Sequence, residues 1–322
     1  MQKLINKNIK VLQISLPFSN SDKINLQPEY STPEKTDMLV VMCFFNPSKS
    51  IRLVQNFLYV KELLTRAKIP LVIVELAYNN DSFITQSNEN TIHVRSNSVM
   101  FHKENLIDIG ISRCKQQYKK YCMLDSDIIF SDLNWYENIS IELDKTDIVQ
   151  PFEKAFWMDI DMTTIIQSKY SVAYNGKKKL AKLEHPGFVW AFTKQWYENI
   201  GLPDFCISGG GDQIIANVAF TIHLKGKKTN YINSEKLDKY IKKAEKNFTS
   251  NYMKGNVFHL FHGNLNNRQY TSRHELIKNE GYSDDCLQIN KDGVYEWIPS
   301  VLDKMNKLFL TYFMNRGDDA IF

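Results

Sequence analysis

Four short runs, three of them almost wholly apolar, constrain the fold of this chain more than any other feature: MLVVMCFF (38–45), LVIVEL (71–76), the mixed TIHV (91–94) and YCML (121–124). A strand with one face in water alternates apolar and polar residues, whereas an uninterrupted run is a strand covered on both faces. Between the first two runs, Leu53, Phe57, Val60 and Leu64 recur at helical spacing, and HKENLIDIGISRCKQQYKK before the fourth run is amphipathic at the same period. Asn46-Pro47-Ser48 stops the first strand. Strand–helix–strand repeated in this way predicts an α/β fold, a mostly parallel sheet flanked by helices on both faces. Residues 1–37 read as an N-terminal arm, with one strand in KVLQISL and then a polar tether. Residues 38–322 read as a single domain with halves at 38–132 and 133–322.

Bulk properties exclude several classes. The 322 residues are 43% hydrophobic, 12% aromatic and 24% charged, an ordinary globular composition. The net charge of +4, from 40 basic against 36 acidic side chains, is too small to argue for nucleic acid. Cys43, Cys114, Cys122, Cys206 and Cys286 are odd in number and show no CxxC spacing. They read as buried thiols in a reducing compartment. No stretch approaches the roughly 18 apolar residues of a membrane span. The opening MQKLINKNIKVLQISLPF is broken by Lys7 and Lys10, a poor signal peptide. A cytoplasmic enzyme with no membrane span and no nucleic-acid partner is the expectation; the oligomeric state has no signal in the sequence.

The fourth run ends in carboxylates: YCMLDSDIIFSD. Unpaired ionised carboxylates in an interior cost several kcal/mol or titrate away, so Asp125 and Asp127 should meet a cation. Ligands of open parallel sheets bind at the carboxyl ends of the strands. Asp125 and Asp127 are expected there, with Asn46 after the first strand and Glu75 in the second. An extended chain would put both acids on one side with Ser126 pointing away. Two carboxylates so placed can hold a divalent ion, and oxygen ligands suit magnesium or manganese. The bland alternative is that they cap the next turn or pair with lysines.

Together with HPGFVWAF (185–192), GGGD (209–212), HLFHG (259–263) and YFMNRGDD (312–319), this DSD motif resembles a GT-A fold glycosyltransferase. The resemblance covers about residues 38–319. It is nearest to small proteins, many of them viral or phage-encoded, related to galactosyl- and N-acetylgalactosaminyltransferases. It implies a Rossmann-like nucleotide-diphospho-sugar transferase fold, with a nucleotide-binding half (38–132) and an acceptor half (133–322). It also implies transfer of a sugar from a nucleotide diphosphate, usually UDP, to the hydroxyl of a glycan or protein-linked acceptor. A viral protein of this kind would work in the host cytoplasm or the virion.

Residue by residue, the resemblance implies that Asp125 and Asp127 hold a manganese or magnesium ion with a histidine of HLFHG. His259 and His262 would face opposite sides of a strand, so only one can be the ligand unless the strand has ended. His262 is preferred, because Gly263 beside it permits the close backbone approach of a diphosphate. An imidazole ligand favours manganese. Gly210 and Gly211 leave a backbone that can approach a sugar, and Asp212 opens a helix. Its plain role is a cap; the resemblance implies the base that takes the acceptor hydroxyl's proton, which makes the reaction inverting. Asn46, Glu75, Lys103, Asn105, Asp108 and Ser126 are expected near the nucleotide, with Arg268 and Arg273 as diphosphate clamps. Trp157, Gly187 and Trp190 are expected on the sugar side, where aromatic faces stack on sugar rings. The lysines at 177–182 and 225–254 read as solvated faces. Two alternatives stay open, a sugar nucleotidyltransferase and a non-catalytic carbohydrate-binding protein. The first would carry a Gly-rich loop where Asn46-Pro47-Ser48-Lys49 stands.

Overall fold

The computed structural model describes residues 14–15, 23–24, 26–114, 117–174, 184–220, 234–245, 247–269 and 273–319. Most of the 1–37 arm and the lysines at 177–182 and 225–233 therefore lie outside the described residues. Of KVLQISL, only Ile14–Ser15 (β1) is described, paired antiparallel with Lys23–Ile24 (β2).

The four runs form Met38–Phe45 (β3), Leu71–Tyr78 (β4), Thr91–Ser96 (β5) and Lys120–Leu124 (β6). Further strands are Ile128–Phe130 (β7), Ile148–Gln150 (β8), Lys154–Met158 (β9), Ile165–Ser171 (β10), Glu184–His185 (β11), Val189–Thr193 (β12), Ser250–Tyr252 (β13) and Asn256–His259 (β14). The main sheet has the order β13-β8-β12-β6-β3-β4-β5. All its strands run one way except β12, which is antiparallel to both neighbours. The fold is thus mixed α/β with a mostly parallel central sheet flanked by helices, as the apolar runs predict.

Alternation along β3 shows why the run has no polar interruption. Met38, Val40 and Met42 belong to one core with Phe57, Val60 and Leu64 of the helix Ile51–Arg66 (α1). Leu39 and Val41 belong to the other, with Leu106, Ile107 and Ile111 of the helix Lys103–Cys114 (α2). Both faces are dry, so every position is apolar. The helices Gly211–Ala219 and Leu302–Asn315 pack into the α2-side core.

Two details of this scaffold place the site. First, the extended conformation expected across Asp125-Ser126-Asp127 is replaced by a turn. Asp125 N–H still donates to Phe188 O beside β12, at 2.9 Å. Ser126 and Asp127 then carry the chain into β7, which belongs to a second sheet of order β11-β10-β9-β14-β7. Second, Glu75 is the fifth residue of eight in β4, not its end.

The approach of α2 to the main sheet depends on Gly110, where an added Cβ would stand 2.6 Å from a methyl of Val41 and 3.0 Å from one of Val74. Alanine is better than glycine in a helix by about 1 kcal/mol, but overpacking a dry β-branched surface costs about 1–3 kcal/mol. Gly110→Ala is expected to lose roughly 1–2 kcal/mol of stability, read as a lowered urea midpoint; a raised midpoint would show that α2 is free to lift.

Candidate active site

The register of the second sheet assembles the core of the site. β14 pairs antiparallel with β7, setting His259 opposite Ile128, and Leu260 N–H donates to Asp127 O at 2.9 Å. His259 therefore stands next to Asp127. The strand stops at His259, so the two-residue alternation no longer applies, and His262 returns to the same side. Its Nε2 lies 2.7 Å from Asp127 Oδ2, and that of His259 lies 3.7 Å away. The expectation that the histidines face opposite sides fails because the chain leaves the strand between them.

Asp127, His259 and His262 offer ligand atoms that all lie within 4.8 Å of one another. Among the described residues, Asp127 Oδ1 is buried without a hydrogen-bond partner, which an oxygen reserved for a cation would be. Burial pushes Asp127 up, but His259, His262 and Arg268 outweigh it and hold the carboxyl below its usual range. Burial pushes His259 well below its ordinary value, against the pull of Asp127. An ionised carboxylate and a neutral imidazole are the forms a divalent ion takes. The residues present thus fit a divalent-metal centre.

Asp125 belongs to a different group. Its Oδ1 is 2.5 Å from Lys103 Nζ, and the same ammonium is 2.9 Å from Asp212 Oδ2. Lys103, the first residue of α2, thus bridges the acid after β6 and the acid opening the helix Gly211–Ala219. That helix is capped by Gly210 with no side-chain cap bond. The side chain of Asp212 turns into the cleft, where its Oδ1 is also buried without a partner among the described residues. Glu104 lies under this group, packed against the Gly211 backbone.

These groups line a cleft of about 620 Å³. Of the expected residues, the cleft brings together Lys103, Asp125, Ser126, Asp127, Trp157, Gly187, Gly210, Asp212, His262, Arg268 and Arg273. Arg268 Nη2 lies 2.8 Å from His262 Nε2, and the Arg273 guanidinium rests on the Phe101 ring with 4.9 Å to its centroid.

Other expected residues do structural work. Asn46 Oδ1 accepts from Ser50 N–H at 2.9 Å, closing the turn before α1. Glu75 accepts from the backbone of Ile84 and Thr85 and from the Thr85 hydroxyl, anchoring the loop after β4. Asn105 holds the hairpin of Leu287–Ile289 and Tyr295–Trp297 through Gly293 O and Tyr295 N–H. Asp108 accepts from the Tyr197 hydroxyl at 2.5 Å. Trp190 is fully buried, its indole N–H donating to Pro186 O at 2.8 Å, because it lies mid-strand in β12. Gly211 packs on Glu104 and is not on the cleft, which Gly209 and Gly210 line. Gly263 has φ +85°, and an added Cβ would stand 2.9 Å from Gly317 O. The backbone it admits is that of 316–318 of this same chain.

Several residues at or beside the cleft were given no site role in the sequence reading. His185 stands edge-on to Trp157 at 4.8 Å, and burial drives it well below its ordinary value. Glu104, Phe101, Lys169, Phe313 and Arg316 also line the cleft. Asp318 sets Oδ1 3.2 Å from both His262 Nδ1 and Arg316 Nη2. The second pair of adjacent acids, Asp318-Asp319, was the available signal for it.

No protein-family model matches this chain, and no curated protein does. Among solved structures, it is similar to a protein from Desulfovibrio desulfuricans G20 described as a nucleotide-diphospho-sugar transferase. The identity is 10% and the TM-score 0.33, over 86% of this chain and 99% of that one. It is also similar to the catalytic domain of Drosophila β1,4-galactosyltransferase 7 in complex with xylobiose, at 11% identity and TM-score 0.39, over 84% and 98% of the two chains. A third similarity is to 4-diphosphocytidyl-2C-methyl-D-erythritol synthase from Anaerococcus prevotii, at 11% and TM-score 0.36, over 68% and 88%. At that level of likeness the site itself must carry the functional reading.

Burial pushes Glu104 up to about 8, with Asp212 adding to the shift and Lys103 opposing it. A carboxyl whose folded value lies above its unfolded value contributes stability that is complete below the unfolded value, near 4.5, and lost as pH rises toward 8. Asp125 is raised too, by burial first, so the two act in the same window. Glu104→Gln should flatten the fall in stability between pH 5 and 8 by on the order of a few kcal/mol. Urea unfolding of the ligand-free protein at those two pH values checks this; an unchanged slope would locate the proton elsewhere.

Proposed function

We propose that this chain is a metal-dependent glycosyltransferase of the GT-A kind, moving a sugar from a nucleotide diphosphate, UDP by preference, to an acceptor hydroxyl with inversion. One observation carries the reading. A divalent-ion ligand set with an unpartnered carboxylate oxygen and a separate carboxylate suited to a base share one cleft, which basic side chains also line. Residues 38–322 act as one catalytic unit in this proposal.

Asp127, His259 and His262 hold the ion, with manganese favoured by the imidazoles. When bound, the ion acts as a Lewis acid toward the diphosphate, offsetting the charge that develops as the glycosidic bond breaks. Arg268, Arg273 and Arg316 supply the guanidiniums that a diphosphate takes bidentately. Lys103 holds Asp212 Oδ2, leaving Oδ1 to take the proton of the attacking hydroxyl. Asp125 keeps Lys103 in place, and its own entry into the metal shell requires that ion pair to open. Trp157 and His185, edge to face on the cleft wall, offer the apolar surface for a sugar ring.

The nucleotidyltransferase alternative needs an anion-binding turn after β3. There the chain uses its own carboxylate: Asp319 accepts from Ser50 Oγ at 2.7 Å and from the N–H groups of Ile51 and Arg52 at 3.0 and 2.7 Å. That observation favours the glycosyltransferase.

Thermal-shift screening of UDP-, GDP- and dTDP-sugars with and without manganese should show a shift for a UDP-sugar that needs the metal. Asp127→Asn is expected to abolish manganese-dependent turnover with a nearly unchanged metal-free Tm; full turnover in that variant would remove the metal role. Asp212→Asn should bind donor as before and turn over about 100- to 10,000-fold more slowly. Weakened donor binding with normal turnover would make Asp212 a structural residue instead.

A further inference from the structure

We propose that Asp318 is a positioning residue of the metal centre, held in place by a latch formed from residues 316–319. The proposal rests on the metal reading above and adds to it the part of the chain that orients His262. His262 has Asp127 Oδ2 at 2.7 Å from Nε2 and Asp318 Oδ1 at 3.2 Å from Nδ1, with Arg268 Nη2 at 2.8 Å from Nε2 and 3.1 Å from Nδ1 and Arg316 Nη2 at 3.4 Å from Nδ1. An imidazole that gives one nitrogen to a metal keeps its proton on the other. A carboxylate accepting that proton fixes both the tautomer and the ring orientation. Asp318 has the placement for this task and not for direct ligation, since the mutually close ligand atoms among the described residues are those of Asp127, His259 and His262.

Three contacts hold Asp318 there, and none of them comes from the metal site's own strands. Arg316 Nη2 lies 3.2 Å from the same Oδ1. Gly263 lets the 316–318 backbone pass where any side chain would collide with Gly317 O. Asp319, the next residue, is fastened to the N-terminus of α1 by Ser50 and by the N–H groups of Ile51 and Arg52. Asp318 is itself buried, so its carboxylate is committed to this contact in the folded chain. The geometry therefore links the start of α1, beyond the first sheet strand, to the tautomer of a histidine in the second sheet.

Manganese binding to the full chain, followed by calorimetry and by the electron paramagnetic resonance signal of the free ion, tests this. Wild type is expected to bind one ion, and Asp127→Asn to lose it. Asp318→Asn, which keeps the side chain's shape, should weaken binding about 10- to 100-fold, with Asp318→Ala at least as weak. With zinc as a diamagnetic probe, nitrogen-proton spectra of wild type should show a downfield proton on His262 Nδ1 that moves upfield in Asp318→Asn. A merely structural role would not move that signal. If both Asp318 variants bind manganese within twofold of wild type while Asp127→Asn does not bind, the latch proposal is overturned and the metal reading stands. If wild type itself binds no manganese, both are overturned.

Discussion

The organising constraint of this molecule is the crowding of carboxylates at the end of β6. Asp125, Asp127, Asp212 and Glu104 line one cleft, with Asp318 against His262, and burial raises Asp125 and Glu104. The chain surrounds them with fixed cations and imidazoles. Lys103 spans Asp125 and Asp212, the histidines and Arg268 surround Asp127, and Arg316 meets Asp318. This partition divides the cleft into two chemically distinct parts. One is an imidazole-rich part where a divalent ion fits; the other is an ammonium-centred part where Lys103 joins Asp125 to Asp212.

The scaffold explains why the parts stand side by side. The single antiparallel strand of the main sheet, β12, begins opposite the end of β6. It thereby brings the Gly187-Phe188 turn against Asp125, whose N–H donates to Phe188 O. The pairing of β14 with β7 does the same for the histidines on the other side. The packing of α2, tight at Gly110, sets the depth at which Lys103 and Glu104 enter from below.

Much of this was legible in the sequence because it rests on local patterns. Uninterrupted apolar runs gave the parallel strands nearly to the residue, and helical spacing gave α1 and α2. The cleft position of Asp125, Asp127, Asp212, His262, Arg268 and Arg273 followed from the order of motifs. What failed to read were features that depend on where a strand ends or on distant pairing. The convergence of His259 and His262 depends on the strand stopping between them. The pairing of Asp125 with Lys103 matches the lysine-pairing alternative for that acid, while the turn that separates it from Asp127 departs from the extended conformation. The burial of Trp190 depends on β12 being an inner strand, and the contact of Asp318 with His262 joins positions 56 residues apart. Asn46, Glu75, Asn105 and Asp108 stand close in sequence to cleft residues, yet their side chains are spent on turns, a loop, a hairpin and a tyrosine.

The turn at Ser126 has a mechanical meaning. Asp125 is tied through its N–H to the main sheet and Asp127 through its carbonyl to the second, so two acids separated by one residue are anchored to different sheets. Both sheets pack into one shared core, with Leu124 and Val189 of the first beside Ile128 and Val257 of the second. The motif therefore crosses the seam above that core, and a ligand gripping both acids at once would fasten the two sheets through three consecutive residues.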